Sequence, residues 1–132
     1  MTRSVPTLVL SGALLFAATA YAHHSQSAQY DTSKEVKIEG KLVQFQFRNP
    51  HTFIQVEAPD ENGVVRRWSI EWGGVGLLTG QGVTRTTLKY GDDVIITARP
   101  SRTPNDYKLH MLTLKRLSDG FGWGTRPGEV VD

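Results

Sequence analysis

The sequence predicts an all-β protein: a small five-stranded OB-fold-like barrel with a short helix or loop between strands 3 and 4. Three observations carry that expectation. Three strand-like runs precede a glycine-rich segment and two more runs, which is the element order of a five-stranded Greek-key barrel. The first run changes the phase of its apolar residues midway, as a long strand does where it bends to help close a barrel. The chain beyond its first 22 residues is long enough for one small core and hardly for two. An open sandwich is the competing architecture.

Residues 1–22 read as a secretory signal peptide. Arg3 supplies a positive start, residues 8–18 are apolar and small, and Ala20-Tyr21-Ala22 has the small-x-small form that signal peptidase cuts. The apolar run falls short of the roughly 20 residues needed to span a bilayer. Cleavage after Ala22 makes His23 the new N-terminus, and the expected location is periplasmic or secreted. Residues 23–34 form a polar N-terminal arm, and the OB-like domain occupies residues 35–117. In the first strand, 35–47, Val36, Ile38, Gly40 and Leu42 share one phase, and Val43, Phe45 and Phe47 take the other. A bulge or sharp bend between Gly40 and Val43 produces that slip. Asn49-Pro50 is a turn, and 51–58 is the second strand. Residues 59–63 are a hairpin loop ending in Asn62-Gly63. Residues 64–72 are the third strand, with Trp68, Ile70 and Trp72 on one face and Arg67, Ser69 and Glu71 on the other. The glycines of 73–83 disfavour a helix, although Leu77 and Leu78 could support a short one plugging a barrel end. Residues 88–100 and 107–117 are the last two strands. Residues 118–132 read as a Gly-rich C-terminal tail.

Composition removes several classes of function. There is no cysteine, so disulfides, thiolate metal sites and cysteine nucleophiles are absent. A net charge of +2 dispersed along the chain is no nucleic-acid footprint, despite a pI of 9.0. No phosphate-binding glycine loop of the Walker type occurs. The serines lack the context of a nucleophile elbow. Adjacent Asp92 and Asp93 read as solvated turn residues rather than an acid–base pair. Without a His-Glu-x-x-His pattern, a zinc hydrolase has little support.

Several short motifs together resemble a family of small secreted bacterial proteins of unknown function. They are Ala22-His23-His24-Ser25, Tyr30-Asp31, Val36-Lys37-Ile38-Glu39-Gly40, Asn49-Pro50-His51, Trp68-Ser69-Ile70-Glu71, the run from Leu88 to Val94 with its Gly91-Asp92-Asp93-Val94, and Asp119-Gly120. The resemblance covers nearly all of the mature chain. It implies secretion and a small β-rich domain, and it implies no established activity. The glycine-rich stretch 73–82 departs from it, against the helix expected there.

The histidines carry the sharpest chemical expectation. An N-terminal His23 offers its α-amine and its imidazole to one metal ion, as in a histidine brace. The α-amine has a pKa of roughly 7.7–8.0, low enough for a metal to displace its proton near neutrality. Tetragonal nitrogen sites favour copper. His51, at a turn–strand junction, is the first choice for a further ligand, followed by His24 and His110. The plainer readings are an exposed His-His at a chain end, a turn histidine and a satisfied barrel histidine. The expectation is therefore a non-enzymatic secreted binding module with a copper site. The alternative is a metal-free module that binds a periplasmic protein, glycan or small ligand on its sheet face, through Trp68, Glu71, Arg67 and Phe53. Neither reading includes nucleic acid or stable membrane insertion.

Overall fold

The computed structural model describes residues 26–124; the expected signal peptide, His23, His24 and the last eight residues lie outside them. The described elements are α1 (residues 26–29), β1 (Val36–Gln46), β2 (Phe53–Pro59), β3 (Val65–Glu71), α2 (Val75–Gly80), β4 (Asp93–Pro100), β5 (Lys108–Arg116) and β6 (Gly122–Trp123). Strands β1 to β5 form a closed barrel. The order runs β3-β2-β1-β4-β5, all antiparallel, and a short parallel pairing of β3 with β5 shuts the ring. This is the OB-like topology expected from the element order.

The length of β1 makes closure possible. Its first half, Val36–Lys41, pairs with β4, and its second half, from Lys41, pairs with β2. Between them the register shifts at Leu42/Gln44, leaving Val43 as the extra residue. The phase slip in the sequence is this bulge. Gly40 sits where β1 turns against β2: a Cβ there would lie 2.0 Å from the Glu57 carbonyl oxygen, so no other residue fits without moving the backbone. Alternate residues of the strands fill the interior, among them Leu42, Ile54, Val56, Ile70, Ile96, Leu109 and Leu114, each essentially without exposure. Each contributes about 1.5–3 kcal/mol through burial.

Helix α2 forms against its own propensity. It is six residues long and has no side-chain cap on its own N-terminal residue, Gly74. Two tertiary contacts support it. Leu78 is fully buried in the core, and Asn49 Oδ1, reaching across from the β1–β2 loop, accepts the Val75 N–H at 2.9 Å. Packing thus overrides the glycines.

Two boundaries differ from expectation. The fourth strand begins at Asp93 rather than 88, because residues 88–92 close a turn in which Asp92 Oδ2 accepts the Lys89 N–H at 2.9 Å. The expected tail is not a free tail over 118–124. Arg116 binds Asp119 through Nε (2.9 Å) and Nη2 (2.8 Å), and the chain turns back to pair β6 with β5. That guanidinium, helped by the Phe121 N–H, holds the Asp119 carboxyl down to about 2.

The arm is docked as well. Tyr30 bridges Ser101, the Asp31 N–H donates to the Pro100 carbonyl at 2.8 Å, and Arg102 Nε donates to the Ser27 carbonyl at 2.8 Å. The arm crosses the end of β4 and carries the Tyr30 side chain onto the outer face of the barrel.

Candidate functional site

Glu71 ends β3 with its side chain directed away from the barrel interior that Ile70 fills. Its register partners are Phe53 on β2 and His110 on β5, and His110 in turn faces Arg99 on β4. An outward carboxylate would ordinarily be solvated. Here Tyr30 lies over it, and Glu71 is only 7% exposed. The Tyr30 hydroxyl donates to Glu71 Oε2 at 2.6 Å, and His51 Nδ1 lies 2.5 Å from Glu71 Oε1. The carboxylate thus meets one donor on each oxygen, which is what keeps a buried charge tolerable.

His51 is placed by its neighbour. Thr52 is fully buried, its N–H donates to the Gly73 carbonyl at 3.0 Å, and its carbonyl accepts the Trp72 N–H at 2.8 Å. The chain at 51–52 is therefore clamped to the end of β3. At 2.5 Å two lone pairs would repel, so a proton sits between Nδ1 and the carboxylate. In the neutral ring the free lone pair is then on Nε2, and the side chain is 44% exposed. The carboxylate fixes the tautomer that leaves a metal-binding or proton-accepting nitrogen available.

His110 completes the cluster. Its ring centroid lies 5.4 Å from that of Tyr30, at a tilt of 38°. Burial lowers its pKa; Glu71 opposes this, and the charge of Arg99, with that of His51 when it is protonated, adds to it. Tyr30 is pushed upward, first by burial and then by its hydrogen bond to Glu71. Both side chains are thereby held neutral around one carboxylate. Arg99 Nε is buried, with no hydrogen-bond partner among the described residues.

The expected site residues are not all gathered here. His51, Glu71 and His110 converge. Arg67 does not pair with Glu71; its Nη2 binds Glu57 at 2.9 Å, and Arg66 binds Asp60, also at 2.9 Å. Phe53 lies beneath the Arg48 guanidinium, 5.4 Å from its ring centroid. Trp68 is on the opposite face of β3 from Glu71, where its indole N–H donates to the Ala58 carbonyl at 3.1 Å. Trp68, Glu71, Arg67 and Phe53 thus form no single binding surface. Tyr30 is the residue that the sequence reading left without a role. An aromatic within a polar arm was the available signal, but its partner lies 41 positions away.

Among the described residues, no group of three His, Asp or Glu side chains is arranged to hold a metal ion. Nor is any helix among them long and apolar enough to cross a membrane. No curated protein and no solved structure matches the chain. Residues 12–110, from before the arm to His110 itself, match a family model, and the chain belongs to that family of unknown function, DUF6152.

Proposed function

We propose that this chain is a secreted, non-enzymatic binding module that holds a copper ion between its mature N-terminal histidine, His23, and His51. The observation that carries the reading is the sharing of Glu71 by Tyr30 and His51, which ties the N-terminal arm to the imidazole chosen as third ligand. The Tyr30 N–H bonds to the Gln26 carbonyl at 2.8 Å, and Gln26 lies three positions after His23. Three residues reach about 10 Å when extended. The reading therefore requires the N-terminal α-amine and imidazole to come within that span of His51, whose Nε2 carries the free lone pair when the ring is neutral. The described residues do not complete a site on their own, so this reading needs His23, with His24 or His110 as the remaining donor. Imidazole and amine nitrogens in tetragonal arrangement favour Cu(II) over the harder divalent ions. The signal-like residues 1–22 support secretion to the periplasm or outside the cell.

The test is a Cu(II) titration of the processed protein, its N-terminus confirmed by intact mass, followed by electron paramagnetic resonance. The expected result is one tightly bound equivalent with a rigid, nitrogen-rich spectrum. One extra residue before His23 should abolish it, and His51→Ala should change its coordination. Weak, heterogeneous binding that is indifferent to the added residue would overturn the reading.

A further inference from the structure

A second site lies at the barrel end away from α2. The β2–β3 hairpin, the loop joining β4 to β5 and the start of β1 surround a cleft of about 610 Å³. It exists because β3 and β5 pair over only three residues, Ser69–Glu71 with Lys108–His110. Before that point the strands diverge, and Trp68 and Tyr107 line the gap. The size is within the range of small-ligand clefts, roughly 300–1,000 Å³.

The charges of the lining cancel within it. Arg66 Nε holds Asp60 at 2.9 Å, and Lys108 Nζ holds Asp106 at 3.2 Å. Lys37 and Glu61 contribute one further charge of each sign. No net charge remains to favour an anion or a cation. What the cleft does offer is neutral: the amides of Asn62 and Asn105, the hydroxyls of Ser101 and Thr103, and two aromatic rings.

The rings are held rigidly. Trp68 and Tyr107 meet edge to face with centroids 5.3 Å apart, the indole N–H is bound to Ala58, and the Arg66 guanidinium lies 5.2 Å from the Tyr107 ring centroid. The loop that carries Tyr107 is strained. Asn105 has φ 58° and Tyr107 φ 44°, the left-handed region that an aromatic residue rarely enters. The surroundings enforce it: the Tyr107 carbonyl accepts the Ser69 N–H at 2.9 Å, and Ser101 Oγ donates to Asp106 Oδ2 at 2.9 Å. Backbone strain of this kind concentrates at ligand sites, where it holds a side chain in a required position.

We propose that this cleft binds a neutral oligosaccharide, one sugar ring lying with its C–H face against the Trp68–Tyr107 pair and its hydroxyls bonded to Asn62, Asn105 and Ser101. A saccharide joins an apolar ring face to a rim of paired donors and acceptors, which is the combination the lining presents. The inference is independent of the copper reading.

The experiment titrates the processed protein, in the presence of a chelator, with cellotriose, maltotriose, chitotriose and the anionic trigalacturonate, following amide and indole NMR shifts. The expected result is saturable binding of at least one neutral trisaccharide with Kd roughly millimolar or tighter. The shifts should be confined to residues 59–68 and 100–109, with trigalacturonate clearly weaker. Tyr107→Gly removes the ring and suits the left-handed backbone, so the variant should stay folded and lose about tenfold or more in affinity. Asn62→Ala, in an exposed loop, should weaken binding with no change in melting temperature. Absence of saturable shifts with all three neutral sugars overturns the proposal, and so does preference for trigalacturonate. Binding unchanged in a folded Tyr107→Gly protein overturns it too.

Discussion

Glu71 and Trp72 are consecutive, nearly equally buried at 7% and 3% exposure, and opposite in how they are satisfied. Glu71 is covered by the N-terminal arm and has a donor on each oxygen. Trp72 is covered from the other end of the chain. Trp123 on β6 meets it edge to face with centroids 5.1 Å apart, and the Trp72 indole N–H has no partner among the described residues. An unmet N–H costs about 1–3 kcal/mol. Burying an indole removes about 150–250 Å² from water, worth roughly 4–6 kcal/mol at 25 cal/mol per Å². Area therefore wins at Trp72 without polar complementarity. At Glu71 no area term can compensate for a lost partner, because the buried group is charged. The Trp72 side serves stability, and the Glu71 side specifies a geometry.

The sharpest break of this comparison is on the aromatic side. Trp72→Ala should cost about 3–5 kcal/mol in urea unfolding, because it removes the ring that Trp123 covers. Trp72→Phe keeps a ring against Trp123 and deletes the unmet N–H, so its net loss should be about 1 kcal/mol or less. Equal damage from the two substitutions would mean that the indole N–H has a partner after all and that the contrast is false.

Next in size is the polar side. Tyr30→Phe removes one hydrogen bond to a carboxylate and should cost about 1.5–3 kcal/mol. Hydrogen exchange separates this effect from global unfolding. The Asp31 and Arg102 amides, which tie the arm to Pro100 and Gln29, should exchange faster. The Ile96 and Leu109 amides in the barrel should change only by the loss of global stability. Exchange at Asp31 and Arg102 no faster than that global loss allows would show that Tyr30 does not hold the arm.

How legible each region was in the sequence follows the same division. The barrel could be read because its signals are local: the phase slip at Gly40–Val43, the Asn62-Gly63 hairpin and the alternation of β3. Helix α2 is not legible locally, because what decides it, Asn49 and the core around Leu78, acts from outside the segment. The return of 118–124 was missed because Arg116 and Asp119 read as ordinary surface charges until they are seen to pair. The cluster was half legible. His51 and His110 stand out by residue type, and Glu71 only as an outward acid on the face it shares with Arg67, which pairs with Glu57 instead. No periodicity reports that Tyr30 crosses the outer face to reach Glu71, since that contact depends on where the arm docks.

The smallest effect is pH dependence, and it should belong to the Glu71 side alone. His110 has its pKa lowered in the fold, by burial first. An unfolded histidine takes up its proton near 6.5. As pH falls below that value the unfolded chain gains a proton that the folded chain resists, so stability contributed above 6.5 is lost toward the lowered folded pKa. Tyr30 gives the opposite limb. Its pKa is raised, while an unfolded tyrosine ionises near 10, so stability falls as pH rises past about 10. The His110 limb is the weaker of the two, because its ring is partly exposed and so partly screened by solvent. Urea midpoints between about pH 5 and 8 should lose part of their slope in His110→Gln and keep it in Trp72→Phe. A slope that survives His110→Gln but disappears in Trp72→Phe would reverse the assignment of roles to the two faces of the chain at residues 71 and 72.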